Sequence, residues 1–178
     1  MARNAALNNN DPSAEELKRA KKDLEKALAD YTEGVRLDPK SEYGFRRRGG
    51  AWAALGAHGK AAADYETAIK VRSNSAAAHN ALAWLRATCP DAKHRDGEKA
   101  ADLAKRACEL TSWKNAGYID TLAAAHAELG NFKKAAEYLE RALDLPGTTE
   151  AALQEFRERL KLYEAEMPYR QPPPAKKE

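Results

Sequence analysis

The sequence predicts an all-α solenoid of antiparallel helix hairpins, and three observations carry that. The first is an internal period. "ALADYTEGVRLDP" (27–39) aligns with "AAADYETAIKVRS" (61–73), so Ala27 meets Ala61, Tyr31 meets Tyr65 and Val35 meets Ile69 at an offset of about 34 residues. The second is that "AADLAKRACEL" (100–110) and "AAEYLERALDL" (135–145) keep the same small-residue spacing. Small residues seven apart share one helix face and let a neighbouring helix approach closely. The third is punctuation. The helical segments 43–56 and 118–130 end in Leu55-Gly56 and Leu129-Gly130, where glycine supplies the left-handed residue that stops a helix.

From the N-terminus, 1–12 lacks apolar periodicity and is expected to be flexible. Ser13 and Glu16 form a capping box. Leu17, Ala20, Leu24, Ala27, Leu28, Tyr31 and Val35 then step by three or four, so 14–37 is one long helix within a partial first repeat at 13–41. Its second half matches the second helix of a hairpin, while Leu17, Ala20 and Leu24 overhang. That overhang either pairs with another copy or a flanking domain, or stays in solvent. Full hairpins follow at 42–75, 76–115 and 116–147. A capping helix occupies 148–166, starting at Thr148 or Thr149, with Leu153, Phe156, Leu160 and Tyr163 inward and charged residues outward. The tail 167–178, "MPYRQPPPAKKE", cannot continue a helix and is expected to be disordered or polyproline-like.

The stretch "LAWLRATCPDAKHRDGEKA" (82–100) concentrates Cys89, Asp91, His94, Asp96 and Glu98 in a turn about five residues longer than the period allows. Turn chemistry accounts for them. Pro90 stops the first helix, Asp91 bonds its own turn, Asp96 caps the second helix and Glu98 sits in its first turn. One histidine among carboxylates has neither a zinc nor a calcium spacing, so no metal or catalytic site is expected. Cys89 and Cys108 fall at opposite ends of one hairpin, beyond disulfide reach. His58, His79 and His126 form no relay. In "FRRRGG" (45–50), helical rotation sends Arg46 and Arg47 to one side and Arg48 toward the core edge; without interleaved aromatics this is a weak nucleic-acid signal.

Thirty basic and 27 acidic residues leave a net charge of +3, no strong argument for nucleic acid. No apolar run approaches the roughly 20 residues of a bilayer span, and two cysteines fit a reducing cytoplasm. Neither an enzyme motif nor a cofactor motif is present.

On Phe45, Gly49, Trp52, Leu55, Gly56, Ala61, Tyr65 and Ala68 in one repeat, and Ile119, Leu122, Ala123, Leu129, Gly130, Ala135 and Ala142 in the last, the chain resembles the tetratricopeptide-repeat family over about 27–146. The long third-repeat turn is similar to a subtype common in bacterial multidomain proteins. The resemblance implies a right-handed superhelix with first helices lining a concave groove that holds peptides. Carried over by register, groove positions include Tyr43, Arg46, Arg47, Gly50, Asn80, Trp84, Thr88, Gly117, Asp120, Thr121 and Ala124. Trp84 either points into the groove beside Asn80 or packs under a neighbouring helix or the long turn. Asp120 falls where some members clamp a carboxylate with basic residues, so that specificity is not expected. The implied function is a non-catalytic scaffold for a protein or peptide partner of unknown identity, with a monomer favoured over a homodimer. The alternative is an assembly module acting through Leu17, Ala20 and Leu24.

Overall fold

Ser13 begins the described chain, its hydroxyl accepting from the Glu16 amide while the Glu16 carboxylate accepts from Ser13 N–H at 2.7 Å. The computed structural model describes residues 13–173. The expected flexible segment 1–12, and 174–178 of the tail, lie outside the described residues. Eight α-helices are found among them: α1 (Ala14–Leu37), α2 (Glu42–Ala54), α3 (His58–Val71), α4 (Ala76–Thr88), α5 (Gly97–Leu110), α6 (Ala116–Glu128), α7 (Phe132–Leu143) and α8 (Glu150–Glu164).

Neighbours in sequence are neighbours in space. The pairs α2–α3, α4–α5 and α6–α7 pack as antiparallel hairpins, α1 packs on α2, and α8 packs on α7. The first helices also touch one another, α2 to α4, α4 to α6 and α6 to α8. This makes them the inner layer of the solenoid, with α3, α5 and α7 outside. Each first helix starts with the same device: Ser41, Ser75 and Asn115 accept from the amide three residues on, satisfying a donor the helix leaves free.

Close approach explains the small residues. Ala61, Ala68, Ala100, Ala104, Ala107, Ala135 and Ala142 are wholly buried. A Cβ on Gly49 would lie 2.7 Å from the Tyr65 ring, so only glycine lets α2 meet α3 there. Gly56 and Gly130 take φ of 76° and 75° at the hairpin turns, the left-handed conformation their positions after Leu55 and Leu129 predict.

The long turn is built as its chemistry predicts. α4 ends at Thr88 ahead of Pro90, a single 3-10 turn spans Ala92–His94, Asp91 accepts from Lys93 N–H and Asp96 caps α5 through Lys99 N–H. Arg95 then ties the turn to the fold, donating to the Cys89 carbonyl (2.8 Å) and to Glu128 at the end of α6 (3.0 Å). Cys89 and Cys108 are free buried thiols, and burial pushes Cys108 up to about 12.

The tail departs from expectation where it is described. After α8, Glu166 adopts a left-handed φ of 55°. The chain then turns back, and the Gln171 amide donates to the Thr88 carbonyl at 2.9 Å. Local sequence signals only that Pro168, Pro172 and Pro173 cannot be helical. The docking depends on α4 and α6 being brought beneath them by the superhelix.

Candidate functional site

The inner layer presents two separate groups of side chains. At the α2 end, Tyr43 is exposed and the Arg46 and Arg47 guanidiniums lie 5.5 and 5.8 Å from its ring centre. Arg47 also donates to the Tyr31 hydroxyl at 3.2 Å, bridging α2 to α1. Arg46 is drawn to Glu42 (3.0 Å), a buried carboxylate that also accepts from the Ser75 hydroxyl (2.8 Å) and so locks the start of α2 to the start of α4. Arg48 points elsewhere, as rotation requires, and forms a bidentate pair with buried Asp64, both bonds 2.7 Å.

The second group lines a cavity of about 590 Å³ between α4, α6 and α8. Asn80, Trp84, Asp120 and Thr121 all reach its wall, joined by Arg159 and Phe156 from the capping helix. Tyr43, Arg46 and Arg47 do not.

Within this cavity the expected residues differ in what they offer. Thr121 is buried and gives its hydroxyl to the Gly117 carbonyl. Asp120 is committed to Arg159, whose Nε donates to it at 2.8 Å. Burial pushes the Asp120 carboxyl up to about 6 against the pull of that guanidinium. Thr121 spends its donor on its own helix and Asp120 gives one carboxylate oxygen to Arg159, so both chiefly shape the wall. Asn80 is different: its Oδ1 is shielded from solvent and has no hydrogen-bond partner among the described residues. Trp84 is half-buried. Tyr169 covers it with ring centres 5.7 Å apart, and the Arg159 guanidinium lies 5.5 Å from its ring centre.

Arg159, Glu128, Tyr169 and Arg170 are the site residues that sequence reasoning missed. Arg159 left a signal, because it sits three after Phe156 and four before Tyr163, on the apolar stripe of α8. An arginine there demands a buried partner. The other three left none. Among the described residues, no group of three or more His, Cys, Asp and Glu is placed to hold a metal ion, and no helix is long and apolar enough to cross a membrane.

Hairpins of two 12–14-residue helices, 34 residues apart and then 40 where the long turn intervenes, with the first helices inside, define the class: this is a tetratricopeptide-type solenoid. Residues 116–149, which hold α6 and α7, match the tetratricopeptide repeat family. The whole fold is similar to the crystal structure of MamA, with a TM-score of 0.59 and 17% identity, over 87% of this chain and 95% of that one. At that identity the likeness is one of fold. None of the curated proteins compared with the chain matches it. Tetratricopeptide repeats are generally non-catalytic modules that bind protein partners.

Proposed function

We propose that the chain binds a peptide or an extended protein segment along the inner layer of α2, α4 and α6, without catalysis. The observation that carries this is Asn80. Asn80 lines the cavity wall one turn before Trp84, and its side-chain amide carries both a donor and an acceptor, the pair that an extended peptide backbone matches at every residue. Trp84 one turn on offers the flat apolar surface typical of a binding hot spot. Tyr43, Arg46 and Arg47 would meet the far end of a longer segment, and their charge favours an acidic residue there.

Panning a random peptide library on the full chain tests this. Selected peptides should lose at least about tenfold in affinity, about 1.4 kcal/mol, on Asn80→Ala. Binding that ignores Asn80→Ala, Trp84→Ala and Arg47→Ala alike would place the binding surface elsewhere.

The alternative reading, self-assembly through α1 in place of groove binding, rests on one observation: Leu17 is 43% exposed, with Ala20 exposed and Leu24 half-buried on the same stripe. It is tested by mass in solution.

A further inference from the structure

The segment after the capping helix crosses the inner layer as a ligand would. Glu166 reverses the chain, and Tyr169 lies on Trp84 of α4 and within 5.3 Å of the Arg159 guanidinium. Arg170 pairs with Glu128 at the end of α6 and reaches the Ala87 carbonyl at 3.5 Å. Gln171 N–H donates to the Thr88 carbonyl. That carbonyl is available because Pro90 stops α4, leaving the last carbonyls of the helix without intrahelical donors. Gln171 and Pro172 then line a second cavity of about 350 Å³, whose far wall is Gly50, Ala53 and Ala54 of α2. The five residues Pro168–Pro172 touch the third and fourth repeats and border the second.

Three features mark these contacts as those of an occupant that can leave. They consist of two hydrogen bonds to the α4 carbonyls of Ala87 and Thr88, one partly exposed ion pair, and the contacts of the Tyr169 ring with Trp84 and the Arg159 guanidinium, and Tyr169, Arg170 and Gln171 all stay half-exposed. The segment is no part of any hairpin, because α8 already covers the end of the solenoid. Its bond to Thr88 is also main chain to main chain, so another extended chain could make it.

We propose that Pro168–Pro172 is a displaceable resident of the peptide groove, and that the partner displacing it is an extended segment of the same pattern: aromatic, arginine, any residue, proline. This rests on the groove function above and adds the class of its ligand and a threshold for binding it. A segment tethered through so short a link acts at an effective concentration on the order of millimolar, so a partner must outcompete it.

The test uses a fluorescein-labelled synthetic peptide MPYRQPPPAKKE and the full chain. Anisotropy should show binding at least about tenfold tighter to the Tyr169→Ser/Arg170→Ser chain than to the unaltered one, since the internal competitor is weakened. Adding Trp84→Ala to that chain should remove the gain, and a scrambled peptide should not bind. Hydrogen exchange gives a readout without substitution. The Gln171 amide of the unaltered chain should be protected, and saturating peptide should speed its exchange. An unprotected Gln171, no binding to the substituted chain, or equal binding to both chains would overturn the proposal. Equal binding that is still lost on Trp84→Ala would leave the groove function standing. Tight binding indifferent to both Trp84→Ala and Asn80→Ala would overturn both.

Discussion

Arg159 of α8 and Asp120 of α6 meet at 2.8 Å with only 7% and 6% of their side chains exposed. The pair joins the capping helix to the last full repeat at the floor of the groove. Breaking one side leaves a buried charge alone, so Arg159→Ala should destabilise the fold by about 3–5 kcal/mol at pH 7, whereas Asp120→Leu/Arg159→Leu should recover most of that. Burial holds the Asp120 carboxyl at about 6, above its ordinary 3.8. A raised carboxyl binds its proton more readily folded than unfolded. Its contribution is therefore present in full below about pH 4 and lost as pH rises through 6. Urea unfolding should show the unaltered chain gaining on Asp120→Asn as pH falls from 7 to 4, and the Arg159→Ala defect shrinking over the same interval. A gain in the opposite direction would mean the guanidinium outweighs burial.

Two glycines should respond to alanine with opposite signs. At Gly49 the new methyl would meet the Tyr65 ring at 2.7 Å and the Ala61 carbonyl at 3.2 Å, and the ring is itself buried against the core. Gly49→Ala should cost about 1–3 kcal/mol, the usual penalty for overpacking. At Gly34, within α1, nothing lies within 4 Å, so Gly34→Ala should stabilise the chain by about 0.5–1 kcal/mol through helix propensity alone. Thermal unfolding of the two variants decides it. Equal effects would mean that the α2–α3 separation is not set by Gly49.

What the sequence reveals and what it hides divide along contact range. Ser13 with Glu16, Asp96 ahead of Lys99, and the glycines after Leu55 and Leu129 are local devices, so each element boundary they set can be found within a few residues. The hairpin order is equally legible, because one small-residue face recurs every 34 residues or so. The groove floor is only half legible. Asn80, Trp84, Asp120 and Thr121 share it by register, but register does not say that Thr121 spends its hydroxyl on Gly117 or that Asp120 is claimed by Arg159. The tail was illegible. Gln171 bonds a carbonyl 83 residues earlier in the chain, and only the stacking of α4, α6 and α8 brings the two together. Prolines in the segment argue against a helix and say nothing about docking.

His58 begins α3 buried, its Nδ1 without a hydrogen-bond partner among the described residues and its ring 5.9 Å from that of His94. Burial pulls its pKa below the ordinary 6.5, and the neighbouring His94 acts in the same direction. A lowered histidine is protonated more readily in the unfolded chain. Stability is therefore held above about 6.5 and lost as pH falls through the folded value. Chemical denaturation at pH 7 and pH 5 should show His58→Gln losing less stability on acidification than the unaltered chain. His126, lowered by burial in the same direction, should account for part of the slope that remains. If His58→Gln leaves the slope unchanged, the imidazole titrates alike in the folded and the unfolded chain.

The last prediction concerns α1. Its 24 residues span about 36 Å at 1.5 Å per residue, well beyond the roughly 20 Å covered by α3 or α5. Val35, near its C-terminal end, is buried, and a Cβ on Gly44 of α2 would touch it at 3.1 Å. Toward the N-terminus contact fades: Leu24 is half-buried, while Ala20 and Leu17 are exposed. One leucine and one alanine in the open make a small apolar patch. Glu15, Glu16, Lys18, Arg19, Lys21 and Lys22 around them keep it hydrated. The expected outcome is a monomer: light scattering should report the mass of one chain, 19.6 kDa, across a wide concentration range. Leu17→Glu/Leu24→Glu should leave that mass unchanged and shift the melting temperature little, because only Leu24 loses any packing. A mass that doubles with concentration, and returns to one chain in the double variant, would instead make α1 an assembly surface.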